Sequence, residues 1–254
     1  MVEAGSLIRS LSGKTAARNF HSFVINEIGA GIVSGKYPVG SVLANDATMM
    51  ETYGVSRTVL REAIKTLEAK GMVEARPKVG TRVTPPGRWN FFDPQVLFWH
   101  FDAKADERFY HSLFDMRSDM ARRAATLASR HRTAEQVRVM KYWVHQIDIA
   151  DGLALAAQAA LEVQTAIASS SGNPLLQSGL AVVEFTLALA AQAQIAGRIE
   201  PAAASQAGLY GELVAALETS AGNDAVDCLE AIAERDRQTV FNNTAWLAQR
   251  KLAD

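Results

Sequence analysis

Residues 54–71 constrain this chain more tightly than any other stretch. They read Gly54-Val55-Ser56-Arg57-Thr58-Val59-Leu60-Arg61-Glu62-Ala63-Ile64-Lys65-Thr66-Leu67-Glu68-Ala69-Lys70-Gly71. Gly54 ends one short helix, Ser56 caps the next, and Gly71 ends that one. Leu60, Ala63, Ile64 and Leu67 recur at helical spacing and form a stripe for burial. Arg57, Arg61 and Lys65 lie four residues apart, so the three cations share the opposite face. A helix that is apolar behind, cationic in front and led by a tight turn from another helix is the recognition element of a helix-turn-helix. Its first residues can reach base edges in a major groove.

Residues 72–84 strengthen that reading. Met72-Val73-Glu74-Ala75-Arg76, the turn Pro77-Lys78-Val79-Gly80, and Thr81-Arg82-Val83-Thr84 predict a basic hairpin directly after the helix. Helix-turn-helix plus basic hairpin is a winged helix. A cationic stripe alone would read as a solvated helix face.

Charge is distributed accordingly. The whole chain of 254 residues has a formal net charge of −1. Residues 1–85 nevertheless carry 11 Lys and Arg against 7 Asp and Glu, and residues 86–254 carry 15 against 20. The basic excess sits where phosphates need neutralising. The length allows two domains, and a hydrophobic share of 48% excludes a disordered chain. Cys228 is the sole cysteine, which excludes an internal disulfide and a thiolate metal cluster. The opening residues lack the apolar core of a signal peptide. No apolar run is read as reaching the roughly 18–20 residues of a membrane span. A cytoplasmic protein without membrane association is therefore expected.

Four segments are predicted. Residues 1–14 form a flexible arm, 15–85 the winged helix-turn-helix, 86–104 a linker with a short helix, and 105–254 an all-α domain. Pro85-Pro86-Gly87 marks the boundary, and the aromatic run Trp89-Asn90-Phe91-Phe92-Asp93-Pro94 is read as packed on a domain. Later helices are predicted at 106–131, with Phe109, Leu113, Met116, Met120, Ala124 and Leu127 inward, and at 133–149, 153–169, 175–195, 201–217 and 224–253. No strand-like alternation occurs after residue 84, so the fold class is mainly α, a winged helix followed by a helical bundle.

These residues resemble the GntR superfamily, specifically its FadR branch with an FCD-type ligand domain. Ile32 to Leu43 is similar to that family's entry segment I-x-S-G-x-x-x-x-G-x-x-L. Val55 to Ala63 matches its VSRTxxREA motif, and Leu67 to Val73 with Gly80 to Val83 its LExxGLV…GTxV tail. The segment Trp89 to Trp99 looks most like the galactonate-responsive regulators of that branch. The resemblance implies a homodimer whose winged helices grip a palindromic double-stranded DNA site, with a small organic acid held in each helical domain and releasing the DNA. It implies DNA contacts from Arg57, Thr58 and Arg61 and from the wing tip Lys78 to Thr81. Together with the sequence pattern, the expected DNA-binding set is Ser56, Arg57, Thr58, Arg61, Lys65, Lys78, Gly80 and Thr81.

The chain departs from that family in two places. Where the family opens its second helix with P-S/A-E-R-E, this chain has Ala44-Asn45-Asp46-Ala47-Thr48, so Ala47 stands in place of a DNA-contacting arginine. Most FCD domains hold a metal with one Asp and three His. The corresponding positions here are Ala160, Gln164, Tyr210 and Arg235. Ala cannot ligate, Gln and Tyr ligate poorly, and Arg repels a cation, so no metal and no other cofactor is expected. His21, His100, His111, His131 and His145 have no spacing that rebuilds a site, and each is read as a surface or packing residue.

Arg117 matches the arginine of the family's E-x-R motif, with Asp115 in the Glu position, and lies among apolar positions of its helix. Asp115 and Asp119 point elsewhere, so an external carboxylate is the expected partner. The expected effector-binding set is Arg117, Gln164, Tyr210 and Arg235, with Gln164 and Tyr210 reading hydroxyls. A competing reading makes Arg235 a surface residue paired with Glu234 or Asp236. The leading expectation is a non-enzymatic transcriptional repressor of a catabolic operon sensing a sugar acid or similar anion. The alternatives are a DNA-binding protein whose helical domain only dimerises or senses a non-anionic ligand, and an enzyme, against which stands the lack of nucleophile–base, metal or phosphate-loop motifs.

Overall fold

A computed structural model describes residues 20–102, 107–197 and 203–250, so the arm expected at 1–14 lies outside the described residues. The chain divides into two compact units, one reaching to residue 105 and one beginning at residue 106. The boundary thus falls about twenty residues beyond Pro85-Pro86-Gly87, and the segment expected as a linker packs with the winged helix.

In the first unit, α1 (Phe20–Val33), α2 (Asp46–Tyr53) and α3 (Arg57–Ala69) precede a hairpin of β1 (Val73–Arg76) and β2 (Gly80–Val83). A 3-10 turn at Pro86–Arg88 leads to α4 (Pro94–Asp102). Asn45 caps α2 by accepting from Thr48 N, and Gly54 closes it at φ 64°. Ser56 caps α3 by accepting from Val59 N. The hairpin is antiparallel, with Val73 opposite Val83 and Arg76 opposite Gly80. Lys78 at φ 64° and Gly80 at φ 110° make its turn. Leu60, Ala63 and Leu67 of α3 are buried with Val24, Ile28 and Ile32 of α1 and with Met72, Val73 and Val83. This is the stripe the sequence predicts.

The end of α3 anchors the segment after the wing. Gly71 has φ +76°, and a Cβ there would lie 2.0 Å from the Arg88 carbonyl oxygen. Only glycine allows that approach in that conformation. Around it, Asn90 N donates to Lys70 O, and Lys70 Nζ meets Asp93 Oδ2 at 2.5 Å. Trp99 of α4 is buried and donates its indole N–H to Asn26 Oδ1 at 3.1 Å. Its ring lies over Gly29 of α1, where a Cβ would come within 2.6 Å.

The second unit is helical throughout its described residues: α5 (Glu107–His131), α6 (Ala134–Asp148), α7 (Leu153–Ser170), α8 (Pro174–Ser178), α9 (Leu180–Gly197), α10 (Ala203–Glu218), α11 (Gly222–Asn242) and α12 (Thr244–Arg250). Thr133 and Gln136 form a reciprocal capping box at the start of α6. α11 packs on α5, α10 and α9, while α7 packs on α6 and α9. α9 is the core helix. By length and hydropathy it would pass for a membrane span, contrary to the expectation that no run reaches that length, and 72% of it is buried inside the bundle.

Two expected helices are each divided. The one predicted over 175–195 breaks at Gly179, where a Cβ would lie 2.0 Å from Met120 Cε. The one predicted over 224–253 begins at Gly222 and breaks at Asn243. Asn243 sends its amide N–H to Ala193 O of α9 and accepts from Trp246 N, so one side chain ties two helices and starts a third. The inward face of α5 is also rotated from the expected one. Tyr110, Leu113, Phe114, Arg117, Ala121, Ala124, Ala125 and Ala128 are buried, whereas Met116 is exposed.

Candidate DNA-binding face and buried arginine site

The first turns of α3 present Ser56, Arg57, Thr58 and Arg61 to solvent. Arg57 and Arg61 form no ion pair among the described residues. Lys65, expected as their companion, is engaged with Glu62 at 2.9 Å. That exposed pair is exchangeable for a phosphate, and the Lys65 ammonium holds the Glu62 carboxyl below the usual range. Lys78 stands exposed at the wing tip beside Gly80, and Thr81 is half-buried next to them. Thr81 accepts Leu43 N through its carbonyl at 2.8 Å, which fixes the wing to the segment before α2. The remaining wing cations are committed internally. Arg76 and Arg88 both bind Glu74, and Arg82 donates through Nε to Gly40 O at 2.8 Å. Ala47 is exposed in the first turn of α2 and offers no cation there.

The geometry suits nucleic acid. A capped helix N-terminus carries two solvent-facing guanidiniums, and a hairpin beside it carries a solvent-facing ammonium. Guanidinium forks match the O6/N7 edge of guanine, and ammonium groups suit phosphates.

In the helical unit, the structure brings Arg117, Gln164, Tyr210 and Arg235 to one place, from α5, α7, α10 and α11. Gln164 and Tyr210 are both buried, and the Gln164 amide donates to the Tyr210 hydroxyl at 2.8 Å. Burial pushes the Tyr210 hydroxyl far above the ordinary range. The Asp236 charge adds to that rise, while Arg117, the Gln164 hydrogen bond and Arg235 oppose it. Tyr210 therefore stays protonated.

The expectation that Arg117 lacks an internal partner is corrected. Arg117 Nη2 lies 2.7 Å from Asp236 Oδ2 of α11, with side-chain exposures of 1% and 8%. From the sequence alone, Asp236 is read only as a surface partner for Arg235. Burial raises its carboxyl above the usual range against the pull of Arg117 and Arg235. Its signal was present in the periodicity of α11, where Leu229, Ile232, Ala233, Asp236 and Val240 lie on one buried face. Arg235 stands one position off that face and is half-buried, with its Nη1 fully enclosed. Asp115 pairs with Arg237 at 2.7 Å and Asp119 with Arg122 at 3.3 Å, so neither reaches Arg117.

Ala160, Gln164, Tyr210 and Arg235 do not suit a metal ion. An alanine, a hydrogen-bonded amide–phenol pair and a guanidinium supply no set of anionic or imidazole donors. Among the described residues, no group of three or more His, Cys, Asp and Glu could hold one. His100 is buried against Trp89 and Phe91, donates Nδ1–H to Val96 O at 2.8 Å, and has its pKa lowered by burial. His131 bonds Ser171 O, and His111 stacks on Phe241.

Comparison with known proteins agrees with this geometry. Residues 21–83 match the family model described as bacterial regulatory proteins, gntR family. Over 125 residues the chain is 39% identical to the uncharacterized HTH-type transcriptional regulator YieP of Escherichia coli K12, covering 48% of this chain and 53% of that protein. Over 156 residues it is 28% identical to the galactonate operon transcriptional repressor of the same organism, covering 61% and 68%. The chain therefore matches only about half of YieP's length. Among solved structures it resembles Lar of Listeria monocytogenes with a TM-score of 0.64 at 15% identity, covering 91% of this chain and 99% of that one. It resembles E. coli McbR/YncC with a TM-score of 0.50 at 18% identity, covering 91% and 98%. At such identities the structural likeness speaks for the fold alone. The domain match covers the capped recognition helix and both strands of the wing, so residues 21–83 are a gntR-family helix-turn-helix domain.

Proposed function

We propose that this chain is a transcriptional repressor of a catabolic operon. In this reading it binds a palindromic operator as a homodimer and is released by a small organic anion of the sugar-acid class. One observation carries the DNA half of the proposal. Arg57 and Arg61 are exposed and without an ion pair among the described residues, at the capped start of an amphipathic helix beside a wing that presents Lys78. Similarity to the galactonate operon repressor favours repression and a sugar acid. A dimer is required by the geometry of palindromic sites, which need two half-site readers one helical turn apart. In the helical unit Arg117 and Arg235 supply positive charge for the effector, and Gln164 and Tyr210 supply hydroxyl-reading groups.

The test has two arms. Mobility shift on fragments flanking the chain's own gene should reveal a specific site whose footprint is two-fold symmetric. A panel of aldonic and uronic acids should then include one that releases that site from the wild type and fails on Arg117→Met. Sedimentation as a monomer at micromolar concentration, with and without operator, would count against the dimer.

A second reading has its own support. The interior cavities beside Gln164 and beside Asp236 measure about 20 and 10 Å³, room for about one water each. A helical unit that only dimerises would be closed at these two positions, with its wider clefts, of about 680 and 430 Å³, lying elsewhere on the unit. It is distinguished by a melting temperature that no metabolite raises, since a ligand binding the folded form alone must stabilise it.

A further inference from the structure

The buried arginine site is closed by one of its own side chains. Arg117 meets Asp236 through one nitrogen only, Nη2 to Oδ2 at 2.7 Å. Nε and Nη1 of Arg117 and Nη1 of Arg235 are all enclosed and have no hydrogen-bond partner among the described residues. A guanidinium is a planar fork of five donors suited to both oxygens of one carboxylate. Leaving it unsatisfied at 1% exposure is unfavourable. Among the described residues, Arg117, Arg235 and the carboxylate of Asp236 all act on Tyr210. Arg117 is short of acceptors; the cavities beside Gln164 and Asp236 hold about one water each, whereas a wider cleft of about 430 Å³ borders Arg235.

We infer that Asp236 occupies the anion seat at Arg117, so that an incoming organic carboxylate binds by displacing Asp236 from that guanidinium. This rests on the effector reading above and specifies how the site opens. The displaced carboxylate has a destination, because Asp236 borders a small cavity lined by Gln194 and Gln206, whose amides can donate to it. With Asp236 still in the bundle, two guanidiniums and one carboxylate accept one further negative charge. The ligand class is therefore a small organic carboxylate that a single guanidinium fork can hold. Protonated Tyr210 and its partner Gln164 are placed to meet a hydroxyl of that ligand. Arg235, half-buried with one nitrogen enclosed, is the second cation the ligand finds.

The experiment uses acetate, the smallest probe with the required group, against chloride at equal ionic strength, read by thermal unfolding of the full chain. Asp236→Asn keeps the size of the side chain but removes the charge that holds it on Arg117, so an external carboxylate can displace its amide. It should melt several degrees below wild type in chloride. Acetate should raise its melting temperature, with the half-maximal effect at a concentration at least tenfold lower than any effect on wild type. The double variant Arg117→Met/Asp236→Leu removes the seat and should show no acetate effect. If Asp236→Asn folds only in acetate, that is the same rescue; failure to fold with acetate present overturns the proposal. Equal acetate responses of wild type and Asp236→Asn also overturn it. In that event, release of operator from wild type by an aldonic acid would show that the sensor reading survives without this seat.

Discussion

The two units use arginine in opposite ways. In the winged helix, Arg57 and Arg61 extend into water from a helix whose other face is buried, and water solvates their charge until a partner arrives. In the helical bundle, Arg117 is enclosed, and the protein itself supplies the opposing carboxylate from Asp236. The first arrangement contributes little to folding and keeps its interaction energy for a ligand. The second makes the charge part of the fold, so a ligand can reach it only by exchange. Substitutions should therefore separate the two regions: the bundle arginine should register in stability, and the recognition arginines in affinity.

The largest effect is expected at the buried pair. Asp236→Ala leaves the Arg117 charge uncompensated, which typically costs about 3–5 kcal/mol. Because burial already favours the neutral form of Asp236, the lower end of that range is expected. Arg117→Met/Asp236→Leu replaces both members by apolar groups and should lose much less than Asp236→Ala. Urea unfolding of the two variants checks this. A double variant as unstable as the single one would mean that the pair, and not its balance, holds the bundle together.

Next in size is Gly71→Ala. The added Cβ meets the Arg88 carbonyl oxygen at 2.0 Å and the backbone sits at φ +76°. Relief requires either strain or detachment of residues 88–93 from the end of α3, at about 1–3 kcal/mol. The loss should appear in the melting of the first unit. An unchanged melting temperature would show that this attachment is dispensable.

Arg57 and Arg61, the proposed recognition arginines, come third in energy. Arg57→Ala or Arg61→Ala should each weaken operator binding about tenfold or more, since a bidentate base contact is worth about 1–3 kcal/mol and a dimer loses it twice. Neither should shift the melting temperature measurably, because neither side chain packs on the core. Affinities within twofold of wild type for both would remove the recognition-helix assignment and blur the contrast with Arg117.

The capped, cationic helix of the first unit was legible because its information is local. Caps at Asn45 and Ser56, the left-handed Gly54 and Gly71, and one apolar stripe lie within about thirty residues, and helical period alone sorts inward from outward. The gathering of Arg117, Gln164, Tyr210 and Arg235 was also anticipated, although only through likeness to a known ligand domain. What escaped was the partner. Asp236 lies on the buried stripe of α11, but a charged residue there is read as surface unless its opposite number on α5 is known. That pairing spans more than a hundred residues of sequence. The breaks at Gly179 and Asn243 escaped for the same reason, since each depends on a side chain or carbonyl from a distant helix, Met120 in one case and Ala193 in the other. The extension of the first unit past Pro85-Pro86-Gly87 depends on Trp99 finding Gly29, another non-local fit.

The smallest expected effect concerns the two lysines of the DNA-binding face, and it refines the contrast within that face. Lys78 at the wing tip is exposed and has no ion pair among the described residues. Lys65 is held by Glu62 at 2.9 Å. A free ammonium on a phosphate releases counterions in full, whereas one that must first leave a carboxylate exposes that carboxylate to the DNA as it goes. Lys78→Ala should therefore weaken binding uniformly across operator variants and reduce the slope of log affinity against log salt by about one per contact. Lys65→Ala should change the slope less, because Glu62 already offsets part of its charge. Titration from low to moderate salt with both variants measures the difference directly. A larger slope change for Lys65→Ala than for Lys78→Ala would mean that the Glu62 pair opens on binding and that the wing tip stands clear of the backbone.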